Sequence, residues 1–372
     1  MRKKLIFITT ILLGAFLLSA CAGGPTHGTT WPGLATDGSL VYYADGPFVY
    51  AVSLEDGREV WRYPAERDNG LVFYATPAVA PDGTVIIGSA GTDHSLIALN
   101  PKDINPDTNA PFEAWKFTGA KDYWMAPPLV LEDKLFGVNS DGNLYVLDLQ
   151  DTRSSKEATV VELDGGRLWS MPTTDGERIY LTSLDHRVIA VDANTNEVVW
   201  SEDLGGAVAG SAVLSENGSL YVGSLASQLE KFDTATGNHE PVVDAENWVW
   251  STPSLDGDTL YFGDVAGNLY SFNTSTDSLN WNPLKPENAD NASITASPLV
   301  REDYILVASE TGRVFAVDRE GKVLWEEELG GKIYTTPIAA GDLTIVAPLE
   351  TDYHLVALDS NGRQVWTFTP EN

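Results

Sequence analysis

Side chains able to do covalent chemistry are few in this chain, and poorly placed for it. The five histidines, His27, His94, His186, His239 and His354, are scattered with no spacing that would close round a metal. No HExxH, GxGxxG, Walker-type loop or GxSxG occurs. Nothing pairs a Ser or Cys nucleophile with a nearby base. No catalytic residue and no metal ligand is therefore assigned. The single thiol, Cys21, excludes an internal disulfide framework and any multi-cysteine metal or cluster site. Side chains that bind rather than react are plentiful, since 10% of residues are aromatic and 11 are Trp. One group is Tyr74, Trp124, Trp169, Trp248, Trp250 and Tyr334, with Tyr123 close by; such rings stack on a planar ligand, a sugar or a peptide. A second group is Asp45, Asp185, Asp264, Glu310 and Glu350, whose carboxylates would attract cations or basic peptide segments. The competing readings are repeat packing for the rings and solvated turn chemistry for the acids.

A repeat positions both groups. Aligned prolines stand at Pro32, Pro77, Pro128, Pro172, Pro253, Pro298 and Pro337, with Ser211 taking the slot in the fifth copy. Seven steps from Pro32 to Pro337 average about 44 residues. Each copy continues with an Asp-Gly-type turn, an alternating apolar run such as Thr259-Leu260-Tyr261-Phe262-Gly263, and a second turn. A second run follows, such as Asn143-Leu144-Tyr145-Val146-Leu147-Asp148, and a last short run ends in Trp61, Trp115, Trp200, Trp281, Trp325 or Trp366. Runs that are short, β-branched and aromatic, with period near two, are strands. No 12-residue stretch after the leader carries a 3.6-residue apolar period. Four strands per unit and eight units predict an all-β, eight-bladed β-propeller of four-stranded antiparallel blades over residues 31–372. The terminal Trp of each unit is expected to pack between neighbouring blades. The links between blades, which carry Tyr74, Trp169, Trp250 and Tyr334 three positions before the aligned proline, are expected to share one face with the acidic hairpins. Both ends hold complete units, and the manner of ring closure stays open. Excursions at Asn100 to Pro111, Asp151 to Ala158 and Asn282 to Asn291 break the register, and loops on a rigid scaffold commonly carry contacts.

The first residues are an address. Arg2, Lys3 and Lys4 precede the apolar run Leu5 to Leu18, which is too short for a comfortable span, and Leu18-Ser19-Ala20-Cys21 follows. This run resembles the lipobox of bacterial lipoproteins. The resemblance implies a signal peptide over 1–20, cleavage before Cys21, lipid on its sulfur, and a tether over 21–30. Several acyl chains together hold a protein stably on a membrane. Ala22, rather than Asp, favours the outer membrane where a cell has two.

The units themselves resemble the PQQ-type, quinoprotein-like repeat, most clearly at Asp141-Gly142-Asn143-Leu144-Tyr145-Val146-Leu147-Asp148 and at Gly312 to Asp318 with Gly321 and Trp325. That resemblance implies the propeller but no single chemistry. One branch, the quinoprotein dehydrogenases, holds PQQ and calcium on the axis and commonly uses a pair of neighbouring cysteines. This chain has one Cys and no compact oxygen cluster, so neither cofactor is expected. The other branch is the lipid-anchored assembly lipoproteins of the BamB type, which resemble this chain in lipobox, tether and a bare ring of this length. That likeness implies a noncatalytic, monomeric scaffold holding an envelope protein partner in outer-membrane protein assembly. The alternatives are a small PQQ-dependent dehydrogenase and an extracytoplasmic small-ligand or carbohydrate-binding protein. The 372 residues carry 53 acidic and 23 basic side chains, a net charge of −30, which argues against nucleic acid and anionic lipid as partners.

Overall fold

The middle strands of each repeat are buried on both faces, and this explains most of the architecture. In Leu40–Asp45 the four residues between the ends are all buried, and the same holds for Phe48–Ser53, Arg187–Asp192 and Arg313–Val317 apart from their termini. A strand whose two faces both meet apolar neighbours reads as a continuous apolar run. Outer strands alternate instead: Val323–Glu328 sets Val323, Trp325 and Glu327 on its half-buried side and Leu324, Glu326 and Glu328 outward. The computed structural model describes residues 31–151, 153–163, 165–286 and 292–371. Cys21, the leader and the tether lie outside the described residues. None of the described residues is helical.

Eight four-stranded antiparallel sheets follow one another along the chain, each built from four consecutive strands. The first begins at Gly33–Thr36 and the last ends at Gln364–Phe368. First strands of neighbouring sheets touch one another, so they line the axis, and fourth strands form the rim. The apolar core is divided into eight clusters, each lying between two adjacent blades. One of these packs Leu34, Val41, Tyr43 and Tyr50 of blade 1 against Ile345, Leu355, Trp366 and Phe368 of blade 8, so the ring is closed. The eight-bladed propeller expected from the repeat is the fold observed.

The rim tryptophans lock blade to blade. Trp200 of blade 4 lies against Gly237 in the last turn of blade 5 and donates its indole N–H to Thr234 O at 3.0 Å. Trp281 with Arg319 O, Trp325 with Ser360 O and Trp366 with Leu54 O repeat the arrangement over Gly321, Gly362 and Gly57. Gly237 has φ +77, and a Cβ there would stand 2.8 Å from the Trp200 ring, so both backbone and ring demand glycine. Where the preceding outer strand lacks Trp, the glycine is absent too. Asn196 follows the Trp-free strand Ala158–Glu162, and Asp277 follows His239–Asp244.

Blade 3 uses a different lock. The excursion after Asp148 lies along the outer strand of blade 2: Lys116 N–H donates to Ser154 O, and Lys156 N–H to Lys116 O. Lys156 is 5% exposed and sets its ammonium 5.7 Å from the centre of the Trp115 ring. The ammonium also donates to the carbonyls of Asp148 and Asp151. The excursion at Asn100 to Pro111 extends a hairpin, and its Asn109 amide donates to Val60 O of blade 1. Two of the three excursions therefore serve the ring itself. The third runs partly outside the described residues.

Candidate binding mouth at the propeller axis

Each link between blades is stitched to the hairpin joining the second and third strands of the next blade. Ser140 N–H donates to Tyr123 O, Leu184 to Arg167 O, Val265 to Trp248 O and Glu310 to Ser293 O. The bonds place link aromatics and hairpin acids on one face, as the repeat predicts.

The structure divides the six candidate rings. Tyr74, Trp169, Trp250 and Tyr334 are half-buried at the mouth, and Trp248 is 50% exposed. Trp169 donates its indole N–H to Ser140 Oγ at 3.0 Å. Burial, with Asp45 and Tyr123 adding to it, pushes the Tyr74 hydroxyl above its ordinary pKa. Trp124 is a correction. It is wholly buried, packed on Gly88, Gly137, Phe117 and Tyr145, and its N–H donates to His94 O. It stands four positions before Pro128 rather than three, and in extended chain that single step turns a side chain to the opposite side.

The acids divide as well. Asp264 is fully buried and is the second correction. It accepts from the Tyr270 hydroxyl, the Asn268 amide and the backbone N–H groups of Ala266 and Asn268. Its slot is the one held by Ser89, Asn139, Ser183, Ser224 and Ser309 in other blades, all buried beside the hairpin backbone. Asp185 sits two residues beyond that slot, bonded to the Ser183 hydroxyl and 3.9 Å from Arg187 Nε. Asp45 accepts from the Tyr43 hydroxyl at 3.0 Å and lies 3.5 Å from His354 Nδ1 of blade 8. Glu350 pairs with Lys332 at 3.2 Å. Burial raises the Glu310 carboxyl pKa, with the Thr295 hydroxyl and Lys332 pulling the other way. Turn acids elsewhere serve the fold. Burial would raise Asp175, but the Tyr180 hydroxyl and the N–H groups of Arg178 and Glu177 outweigh it, leaving the carboxyl below its ordinary value.

One mouth residue escapes the sequence reading. Trp31 stacks on Tyr334 at 5.5 Å with the planes 16° apart, and meets Trp250 edge-on, also at 5.5 Å. Its signal was its size: the other aligned prolines follow Thr76, Pro127, Met171, Thr252, Ser297 and Thr336, none of them aromatic. Calcium beside PQQ would need several converging oxygen ligands. Among the described residues, no three His, Cys, Asp or Glu side chains converge as cation ligands.

A family model described as the outer membrane protein assembly factor BamB matches residues 140–303 and 284–372. The outer membrane protein assembly factor BamB of Shewanella oneidensis is 23% identical over 292 residues, covering 72% of this chain and 65% of that protein. The chain thus spans just under two thirds of that relative. BamB of Moranella endobia is 20% identical over 325 residues, 83% of this chain and 80% of its own. Among solved structures, BamB from Moraxella catarrhalis superposes with a TM-score of 0.66 at 20% identity, covering 88% of this chain and 91% of that one. The computationally designed Ika8 protein gives 0.68 at 13% identity, covering 91% and 96%. Likenesses at these identities speak for the fold alone.

Proposed function

Because the chain belongs to the family of the outer membrane protein assembly factor BamB, we propose that it is a noncatalytic scaffold in outer-membrane protein assembly. It is held to the membrane by lipid on Cys21 and works as a monomer on an envelope protein partner. The family match over residues 140–303 and 284–372 carries this reading. A lipid tether would confine a rigid disc to the membrane and raise the effective concentration of any partner there. The closed ring supports it, because loops on a rigid scaffold are where partner contacts commonly sit. The outer membrane, at its periplasmic face, is the proposed site in a two-membrane cell.

The test is in-cell crosslinking of the full chain followed by purification and identification of its partners. Outer-membrane barrel-assembly components should be captured, and Cys21→Ser should shift the chain from the membrane to the soluble fraction. Capture of no assembly component under crosslinking would refute the scaffold reading. Unchanged membrane partition of Cys21→Ser would refute the anchor.

A further inference from the structure

Trp31 is the first described residue, and it reaches across the axis. Trp31 precedes the first strand of blade 1, at the seam with blade 8; Tyr334 lies in the link from blade 7 to blade 8, and Trp250 in the link from blade 5 to blade 6. Trp250 therefore belongs to a link three of the eight steps away round the ring, yet both rings lie 5.5 Å from Trp31. The backbone just behind Trp31 is pinned. Thr335 donates its hydroxyl to Pro32 O at 2.8 Å, and Gly33 presses so closely on Ala75 that a Cβ would stand 2.3 Å from its carbonyl oxygen. A residue before proline is also restricted to extended conformations.

Trp31 is 40% exposed, and its ring stacks on Tyr334 and meets Trp250 at a steep angle. The tryptophans that lock the blades differ: Trp200, Trp281, Trp325 and Trp366 each donate an N–H to a neighbouring carbonyl. Trp31 thus sits in the mouth as an aromatic side chain beside a proline-restricted backbone, seated by ring contacts and with no hydrogen bond from its indole to the described residues.

We propose that the mouth formed by Tyr334 and Trp250 is a receptor for an aromatic side chain on an extended polypeptide, and that Trp31 occupies it as a displaceable plug. The occupant seen in place defines the chemistry: an indole stacked on Tyr334 and in an edge-to-face contact with Trp250, the two favoured aromatic geometries. A partner segment enters by replacing Trp31, so the site has a reduced apparent affinity until the plug leaves. The inference does not depend on which machine the chain serves.

The test titrates the full chain with N-acetyl-fluorotryptophanamide, followed by fluorine NMR. Trp31→Ala should bind the probe about tenfold more tightly than the unaltered chain, the scale of two ring contacts. Adding Tyr334→Ala to Trp31→Ala should remove that gain. If that double variant fails to fold, Trp250→Leu in the Trp31→Ala background reads the same contact. The proposal is overturned if Trp31→Ala binds no more tightly, or if loss of the Tyr334 or Trp250 ring leaves the tighter binding intact.

Discussion

Replacing Gly237 with Ala tests the blade lock directly. The new Cβ would stand 2.8 Å from Cδ2 of Trp200 and 3.0 Å from its Cε3 and Cγ, on a backbone at φ +77. The left-handed backbone alone costs an alanine about 1–2 kcal/mol. Forcing the ring aside adds about 1–3 kcal/mol of overpacking. The expected loss is therefore about 2–5 kcal/mol. Gly218 is the control within the same blade. It has φ +82 and nothing within 4 Å of its would-be Cβ, so Gly218→Ala should lose only the backbone part, about 1–2 kcal/mol. Urea denaturation of both variants gives the difference. A double-mutant cycle then assigns it: in a Trp200→Ala background, Gly237→Ala should cost no more than Gly218→Ala. Equal losses for the two glycine variants in the unaltered chain would refute the lock.

Three further outcomes follow from the same structure. Asp175 is held below its ordinary pKa of 3.8, so its contribution is full above that value and is lost as pH falls through the lower folded one; Asp175→Asn should lose about 1 kcal/mol at pH 7 and flatten the acid limb of the stability curve, read by urea denaturation across pH. Lys156→Ala removes a cation from the Trp115 ring and two carbonyl bonds, so stability should fall by about 1–3 kcal/mol and proteolysis near Asp151 should quicken. PQQ with calcium should leave the melting temperature unmoved, because a ligand that does not prefer the folded state cannot stabilise it; a rise at saturating cofactor would restore the dehydrogenase reading.

What the sequence could show depended on which side of the chain a residue faces. The repeat carried the blade count, the strand order and the inward duty of the rim tryptophans, because those follow from period and residue type. Trp124 and Asp264 were misjudged for a shared reason. Each stands near a mouth position along the chain, but Trp124 is one step off it in extended backbone, and Asp264 fills the buried hairpin slot two residues before the position that Asp185 holds. Trp31 was missed because it fills a repeat slot that elsewhere holds a non-aromatic residue. The dependence of Gly237 on Trp200, and of Lys156 on Trp115, joins residues of adjacent blades, which no local pattern reveals.

The way the ring closes explains why the mouth can hold Trp31 at all. Among the described residues every sheet is made of consecutive strands, so none is exchanged between the first and last blades. Bringing the ends of a chain of this length together costs about 5 kcal/mol in loop entropy. The seam between blades 8 and 1 buries a dozen side chains, which returns more than about 10 kcal/mol even at about 1 kcal/mol each. It also repeats the interior lock, with Trp366 over Gly57 and bonded to Leu54 O, and adds Tyr50 against Phe368 and Arg62 bonded to Glu371 O. Non-covalent packing is thus sufficient without a shared sheet. A ring closed by exchange would place an early strand at the rim of the last blade. Here the first strand of the propeller is an inner one, Gly33–Thr36, so the chain enters the disc at its axis. That connectivity delivers Trp31 to the mouth, where a rim entry would have left Tyr334 and Trp250 uncovered.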